Sequence, residues 1–226
     1  MQSTPAVDER RAEIAAACRR LAAEGLVIGT AGNVSARAGD LVAITATGAA
    51  FEQMTPEQVS IVDLSGVVVQ GLLAPTSELE LHLGIYRDLD AGAVVHTHAP
   101  MATAVGCVVD VLPCVHYQML LLGGEVRVAP YATFGSPELA AGVHAALEGR
   151  SAALMANHGA VTHAGDLAAA VELALLLEWA CTVYWRAASI GTPRTLDAEA
   201  QAAVVEAAVR RGYGSSRPAH EEKDSA

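Results

Sequence analysis

Positive charge is what this chain most lacks. Lysine and arginine number 14 against 25 aspartate and glutamate, so the formal net charge is −11. A nucleic-acid surface needs a basic footprint, and the balance of charge argues against one. Paired cysteines are missing as well: Cys18, Cys107, Cys114 and Cys181 are scattered, with no C-x-x-C spacing. That pattern fits reduced thiols in a cytosolic protein better than a disulfide framework. Residues 1–20 are polar and charged and contain no apolar signal-peptide core. The longest apolar helix candidate, residues 167–181, carries Glu172 and Glu178 and reads as too short and too charged to cross a bilayer. The expectation is a soluble cytoplasmic protein with neither nucleic acid nor membrane as partner. Two nucleotide-binding signatures are absent too. The segment Gly29-Thr30-Ala31-Gly32-Asn33 is not G-x-G-x-x-G, and no G-K-[ST] completes a Walker loop.

What the chain has in abundance is apolar sequence, much of it alanine: 52% of the residues are hydrophobic. In a soluble chain this implies buried subunit contacts as well as an interior. With 226 residues, one domain over 1–213 followed by a disordered tail over 214–226 is the economical division. Residues 8–24 read as an opening helix ending at Gly25. NVSAR and LVAITA read as one hairpin, and IVDLSGVVVQG as a second closed at Ser65-Gly66. Pro75-Thr76-Ser77 offers hydroxyl caps to a helix through about Leu89, after which Ala93-Val94-Val95 opens a buried strand. A segment near 112–115, a helix-like stretch at 118–122 and a strand at 126–129 come next. A helix starting at Ser136-Pro137-Glu138 and a buried strand at 152–156 follow. Helices near 166–189 and 197–211 complete the body. Hairpins mixed with helices indicate a layered α/β domain on a largely antiparallel sheet.

Chemistry concentrates at a few points. His96 and His98 are spaced by two at the end of an apolar strand, so both imidazoles face the same side and can share a metal ion. His158 ends a second buried strand. It is either a third ligand or a strand-end histidine held by a backbone partner. His82 belongs to the helix after Pro75 and either faces the same region or lies at the surface. Glu78, in the first turn of that helix, is favoured there by the helix N-terminus and is also placed to act as ligand or general base. Thr30, Gly32 and Asn33, then Thr47-Gly48, then Thr76-Ser77 each sit at a turn or helix start. Converging amides and hydroxyls of this kind suit a phosphate, although each is ordinary turn chemistry on its own.

Taken in order, these segments resemble the class II aldolase/adducin family, and its fuculose-1-phosphate aldolase branch in particular, from about residue 10 to Tyr213. GTAGNVSAR, ITATG, PTSELELHLGIYRDL, AVVHTHAP and MANHGAV carry the family resemblance. VHYQM, APYATFGSPEL and RRGYG carry the branch. The resemblance implies a three-layer α-β-α sandwich and one zinc ion per subunit on His96, His98 and His158. It makes Glu78 the catalytic acid/base, which also binds the metal when substrate is absent. Phosphate would lie among Thr30, Gly32, Asn33, Thr47, Gly48, Thr76 and Ser77. Tyr117 would reach the site of a neighbouring subunit in a homotetramer, with Phe134 and Tyr213 closing over the aldehyde end. The implied reaction is reversible cleavage of L-fuculose 1-phosphate to dihydroxyacetone phosphate and L-lactaldehyde. The family also holds 5-deoxypentulose-phosphate aldolases, methylthioribulose-phosphate dehydratases, pentulose-phosphate 4-epimerases and non-catalytic adducin heads. Glu78 in place of an aspartate disfavours an epimerase, and the intact histidine set disfavours an adducin head. Very few lysines are present, which fits metal rather than imine catalysis.

Overall fold

A computed structural model describes residues 5–211. Tyr213 and the 214–226 tail lie outside the described residues. The chain runs α1 (Pro5–Ala23), β1 (Asn33–Ala38), β2 (Leu41–Thr45), β3 (Val59–Val62), β4 (Val68–Gln70), α2 (Leu79–Asp88), β5 (Ala93–Thr97) and α3 (Pro100–Gly106). It continues through β6 (Val111–Leu112), β7 (Val126–Ala129), α4 (Pro137–Ala146), β8 (Ala152–Met155), β9 (Gly159–Ala164), α5 (Leu167–Ile190) and α6 (Ala198–Arg211). The strands form one sheet in the order β4-β3-β2-β1-β5-β9-β8-β7-β6. Every pairing is antiparallel except that of β7 with β8.

Strand periodicity divides the core into two layers. Val34 and Ala36 of β1, Ala93 and Val95 of β5 and Leu154 of β8 pack with Ile14, Leu21, Ala102, Ala174 and Leu177 of α1, α3 and α5. The alternate residues Val94, Ala153, Met155 and Val161 pack instead with Leu83 and Ile85 of α2 and Leu139 and Val143 of α4. The result is a mixed α/β sandwich of helices, sheet and helices, as expected. At the end of α1, Gly25 adopts φ +76, and the Leu26 N–H reaches back 3.0 Å to the Leu21 carbonyl. That left-handed step ends the helix where glycine costs no side-chain clash.

Several local expectations change. β9 follows β8 directly, and a short helix α3 follows β5; neither was anticipated. GAVTHA begins with glycine, a poor strand former, and α3 has only seven residues, too few for a 3.6-residue period to declare itself. The stretch read as helix-like at 118–122 is a 3-10 turn over Tyr117–Leu122. Of the segment near 112–115, only Val111–Leu112 pairs as a strand. The helix expected near 166–189 is α5, 24 residues from Leu167 to Ile190, longer than the apolar stretch 167–181 weighed as a membrane span. By length and composition alone it could cross a bilayer. Its buried face, including Ala170, Ala174, Leu177 and Cys181, belongs to the core against the sheet.

Antiparallel pairing positions the functional end of the sheet. β5 runs between β1 and β9, with Asn33 opposite His96 and Ala160 opposite Thr97. The start of β1, the end of β5 and the β8–β9 turn therefore meet at one edge.

Candidate metal centre and cleft

His96 lies in the middle of the sheet and is fully buried. Its Nδ1 donates to the Ala160 carbonyl oxygen at 3.0 Å, so Nε2 presents a lone pair. His98, two residues on, brings its Nε2 to 3.0 Å from the His96 Nε2. His158 enters from the tight turn between β8 and β9, where Asn157 adopts φ 54 and the His158 N–H bonds the Met155 carbonyl at 3.1 Å. It is thus a hairpin-turn residue, and its ring points at the other two rather than at a backbone partner. The three ring centroids stand 4.8–5.0 Å apart, and the ligating atoms lie within 4.8 Å of one another.

Glu78 completes the cluster. It is not in the first turn of α2 but one residue before it, at φ −100 and ψ 25, and its side chain makes no cap bond. The carboxylate turns inward instead. Oε2 lies 3.1 Å from His96 Nε2 and accepts from Asn33 Nδ2 at 2.9 Å. Oε1 lies 3.5 Å from His158 Nε2, is buried, and has no hydrogen-bond partner. Ligands about 2.1 Å from one tetrahedral ion stand roughly 3.4 Å from each other, close to these separations. Three imidazole nitrogens, one fixed by a carbonyl, plus an orphaned carboxylate oxygen therefore fit a divalent cation. Burial alone would raise the Glu78 pKa, but the hydrogen bond and charge of His96, the Asn33 amide and the charge of His158 together hold it well below the carboxylate range. Burial and the neighbouring His96 and His158 charges push His98 down to about 4. Burial and His96 lower His158 as well. The lowered values of His98 and His158 and of the Glu78 carboxylate favour the deprotonated ligands that a cation requires.

A cleft of about 290 Å³ opens beside this cluster. Its wall includes Thr30, Gly32, Asn33, Thr47, Gly48, Thr76, Ser77, Glu78, His98, His158 and Phe134, so every predicted cradle residue reaches one cavity. Gly32 adopts φ +105 there, and a Cβ would meet the His96 carbonyl oxygen at 2.9 Å, so only glycine lets β1 approach the histidine strand. Two predicted roles look different in place. Asn33 is 4% exposed, and its side chain is bonded to Glu78 and His82. Thr76 Oγ1 accepts the Glu78 N–H at 3.3 Å, tying the cradle to the carboxylate. Tyr117 does not line this cleft; its ring stacks near His116, with centroids 4.5 Å apart. Sequence reasoning missed Tyr131, which lines the cavity with Phe134. The APYATFG segment was the available signal, and Tyr131 shows 66% of its surface at the mouth. His82, left open between site and surface, is fully buried behind Asn33.

Such a sandwich, with a histidine–carboxylate cluster beside a hydroxyl-lined cleft at one end of its sheet, is a framework suited to metal-assisted chemistry on a small anionic substrate. The family profile described as Class II Aldolase and Adducin N-terminal domain matches residues 12–185, and the chain belongs to that family. It is 40% identical over 192 residues to a 5-methylthioribulose-1-phosphate/5-deoxyribulose-1-phosphate aldolase of Rhodospirillum rubrum, covering 84% of this chain and 86% of the relative. It is 38% identical over 193 residues to a 5-deoxy-D-ribulose 1-phosphate aldolase of Bacillus thuringiensis serovar kurstaki, covering 84% and 91%. An L-fuculose phosphate aldolase of Escherichia coli strain K12 is 37% identical over 190 residues, covering 83% and 88%. Among solved structures, an L-fuculose 1-phosphate aldolase superposes with a TM-score of 0.84 at 34% identity, over 91% of this chain and 97% of that one. The chain is a class II aldolase, and its activity is that of a lyase.

Proposed function

We propose that this enzyme reversibly cleaves a ketose 1-phosphate ending in a deoxygenated carbon, releasing dihydroxyacetone phosphate and a short aldehyde. The observation that carries this reading is Glu78, whose two oxygens stand 3.1 and 3.5 Å from His96 and His158 at the floor of a hydroxyl-lined cleft. The substrate argued for first is 5-deoxyribulose 1-phosphate. The names of relatives 40% and 38% identical to this chain support it, as does the apolar wall of Ala132 and Phe134. L-Fuculose 1-phosphate is the second reading, supported by the 0.84 TM-score and sharing the terminal methyl group.

Thr30, Thr47, Thr76 and Ser77, with the amides around Gly32 and Gly48, bind the phosphate. That binding energy is remote from the bond that breaks, and it fixes the ketose in place. His96, His98 and His158 would hold a zinc ion, which when bound would supply a Lewis acid for the negative charge left on the three-carbon fragment. As the C3–C4 bond opens, the ionised Glu78 takes the C4 hydroxyl proton, while Tyr117 of the partner subunit, in a homotetramer, hydrogen-bonds the aldehyde oxygen. Glu78 then delivers a proton to C3, and in the reverse direction removes it. Phe134, with Tyr213, closes the aldehyde end. The enzyme works in the cytoplasm.

A coupled assay reducing dihydroxyacetone phosphate, run across ketose 1-phosphates with hydroxymethyl, methyl and methylthiomethyl ends, tests this. The methyl-ended ketoses should give the highest kcat/KM, and dialysis against EDTA should abolish turnover until zinc is restored. Full activity after EDTA, or preference for a hydroxymethyl end, overturns the reading.

A further inference from the structure

Behind Glu78 lies a row of buried polar side chains with no place in the reaction as described. Asn33 and Ser35 are two apart on β1 and so share a face. His82 and Tyr86 are four apart on α2 and also share one. The two spacings mesh. Asn33 Oδ1 meets His82 Nε2, His82 Nδ1 lies 2.7 Å from Ser35 Oγ, and Ser35 Oγ lies 2.8 Å from the Tyr86 hydroxyl. None of the four exceeds 4% exposure.

The hydrogen-bond inventory fixes a direction along this row. An ionised carboxylate can only accept, so the Asn33 amide nitrogen donates to Glu78 Oε2, as its 2.9 Å separation allows. Asn33 Oδ1 is then an acceptor, and His82 must carry its proton on Nε2. His82 Nδ1 in turn accepts from the Ser35 hydroxyl, whose oxygen accepts from Tyr86. Four successive donors therefore point toward one carboxylate oxygen. The other oxygen, Oε1, has no hydrogen-bond partner. One oxygen is pinned and the other is left for chemistry.

We propose that His82 is a positioning residue, orienting the Asn33 amide so that Glu78 is held by Oε2 and exchanges its proton through Oε1. This rests on Glu78 as the acid/base of the proposed reaction, so its test bypasses the aldehyde. The readout is exchange of a hydroxymethyl hydrogen of dihydroxyacetone phosphate with deuterated water in the zinc-loaded enzyme. His82→Leu, which removes the donor to Asn33, should slow exchange by ten- to a hundredfold. Zinc content should stay at the wild-type value, and KM for dihydroxyacetone phosphate should change less than threefold. His82→Gln, whose amide can still donate to Asn33, should recover most of the loss. Unchanged exchange in a folded Leu variant, or equal loss in Leu and Gln, overturns the proposal. If the Leu variant does not fold, Ser35→Ala decides: exchange at least threefold slower supports the relay, and wild-type exchange overturns it. Nitrogen NMR of histidine-labelled enzyme gives a readout independent of activity. Neutral His82 with its proton on Nε2 is expected, and an Nδ1-protonated or charged ring overturns the relay. No exchange in the wild type would remove Glu78 from the chemistry and the proposal with it. Exchange without cleavage of any ketose would sink only the substrate reading.

Discussion

The Nδ1 of His96 donates to the carbonyl oxygen of Ala160, 3.0 Å away on the neighbouring strand. That bond is a consequence of the β5–β9 register, which sets His96 opposite Val161 and Thr97 opposite Ala160. A carbonyl only accepts, so the sheet itself selects the tautomer that points a lone pair at His98 and Glu78. A slip of one residue would turn the ring to the other face of the sheet.

A ligand set oriented in advance should make folding and metal binding one equilibrium. At a thousandfold excess over Kd, a single bound ion stabilises the native state by about 4 kcal/mol. For a chain of this size that corresponds to a rise in Tm of roughly 8–16 °C. Differential scanning calorimetry of the metal-stripped enzyme with and without zinc checks it, with His96→Gln as the variant that should show no rise. An equal Tm with and without zinc in the wild type would contradict the ligand set.

Glu78→Gln separates holding the metal from moving the proton. The amide matches the carboxylate in shape, so the fold and zinc content should be kept. Loss of a positioned acid/base should cost about 10²–10⁴ in turnover. Steady-state kinetics alongside elemental analysis reads both quantities, and a variant with wild-type kcat would exclude the residue from the proton path.

How much of this was readable in the chain depends on range. The H-x-H spacing, the cradle turns and the hairpins are local patterns, and all the predicted cradle segments line one cavity. Glu78 was placed one residue too deep in its helix, because a carboxylate near an N-terminus reads as a cap until tertiary contacts turn it inward. His82 was ambiguous because only the mesh of β1 against α2 reveals its partners. β9 carries little local signal because GAVTHA opens on glycine, although its hairpin with β8 is short-range. The role proposed for Tyr117 needs a second subunit, which no single chain displays.

Acid should destabilise the folded enzyme through His82. Burial, with the nearby His96 charge, pushes its pKa down from 6.5 to about 3. Between those values the unfolded chain binds a proton that the native state refuses, so stability falls as pH falls, by up to about 1.4 kcal/mol per pH unit. Glu78, held low in the fold, adds to this only below about pH 4.5. Urea unfolding of metal-free enzyme at pH 6.5 and 4.5 should therefore show a steeper loss in the wild type than in His82→Gln. Parallel losses would mean that His82 is not held neutral.

Gly159 and Gly84 make opposite predictions from the same substitution. A Cβ on Gly159 would meet the Thr97 carbonyl oxygen at 2.3 Å, with His96 Cε1 and His98 Cδ2 both at 3.3 Å. Alanine there should cost about 1–3 kcal/mol and weaken zinc binding by moving both histidines. Gly84 lies within α2, where a Cβ would meet nothing within 4 Å, so alanine should be neutral or stabilise by up to about 1 kcal/mol. Thermal unfolding of the two variants distinguishes them directly, and a stable, zinc-tight Gly159→Ala would mean that β9 can retreat from β5.

Glu178 on α5 braces the start of the helix that follows His98. Its Oε1 accepts the Met101 N–H at 2.9 Å and its Oε2 the Ala102 N–H at 2.8 Å. These are first-turn amides of α3, which begins two residues after His98. A carboxylate can satisfy both amides, whereas a glutamine offers one acceptor oxygen and sets its NH₂ against the other donor. Glu178→Gln should then cost about 1–3 kcal/mol in stability. Because the loosened segment carries His98, zinc affinity should fall several-fold, while His96 and His158 keep their own supports. Competitive titration with a chelating dye measures that affinity, and Glu178→Ala should lower it at least as far. Stability lost with zinc affinity intact would make Glu178 a structural cap alone, with His98 held by β5.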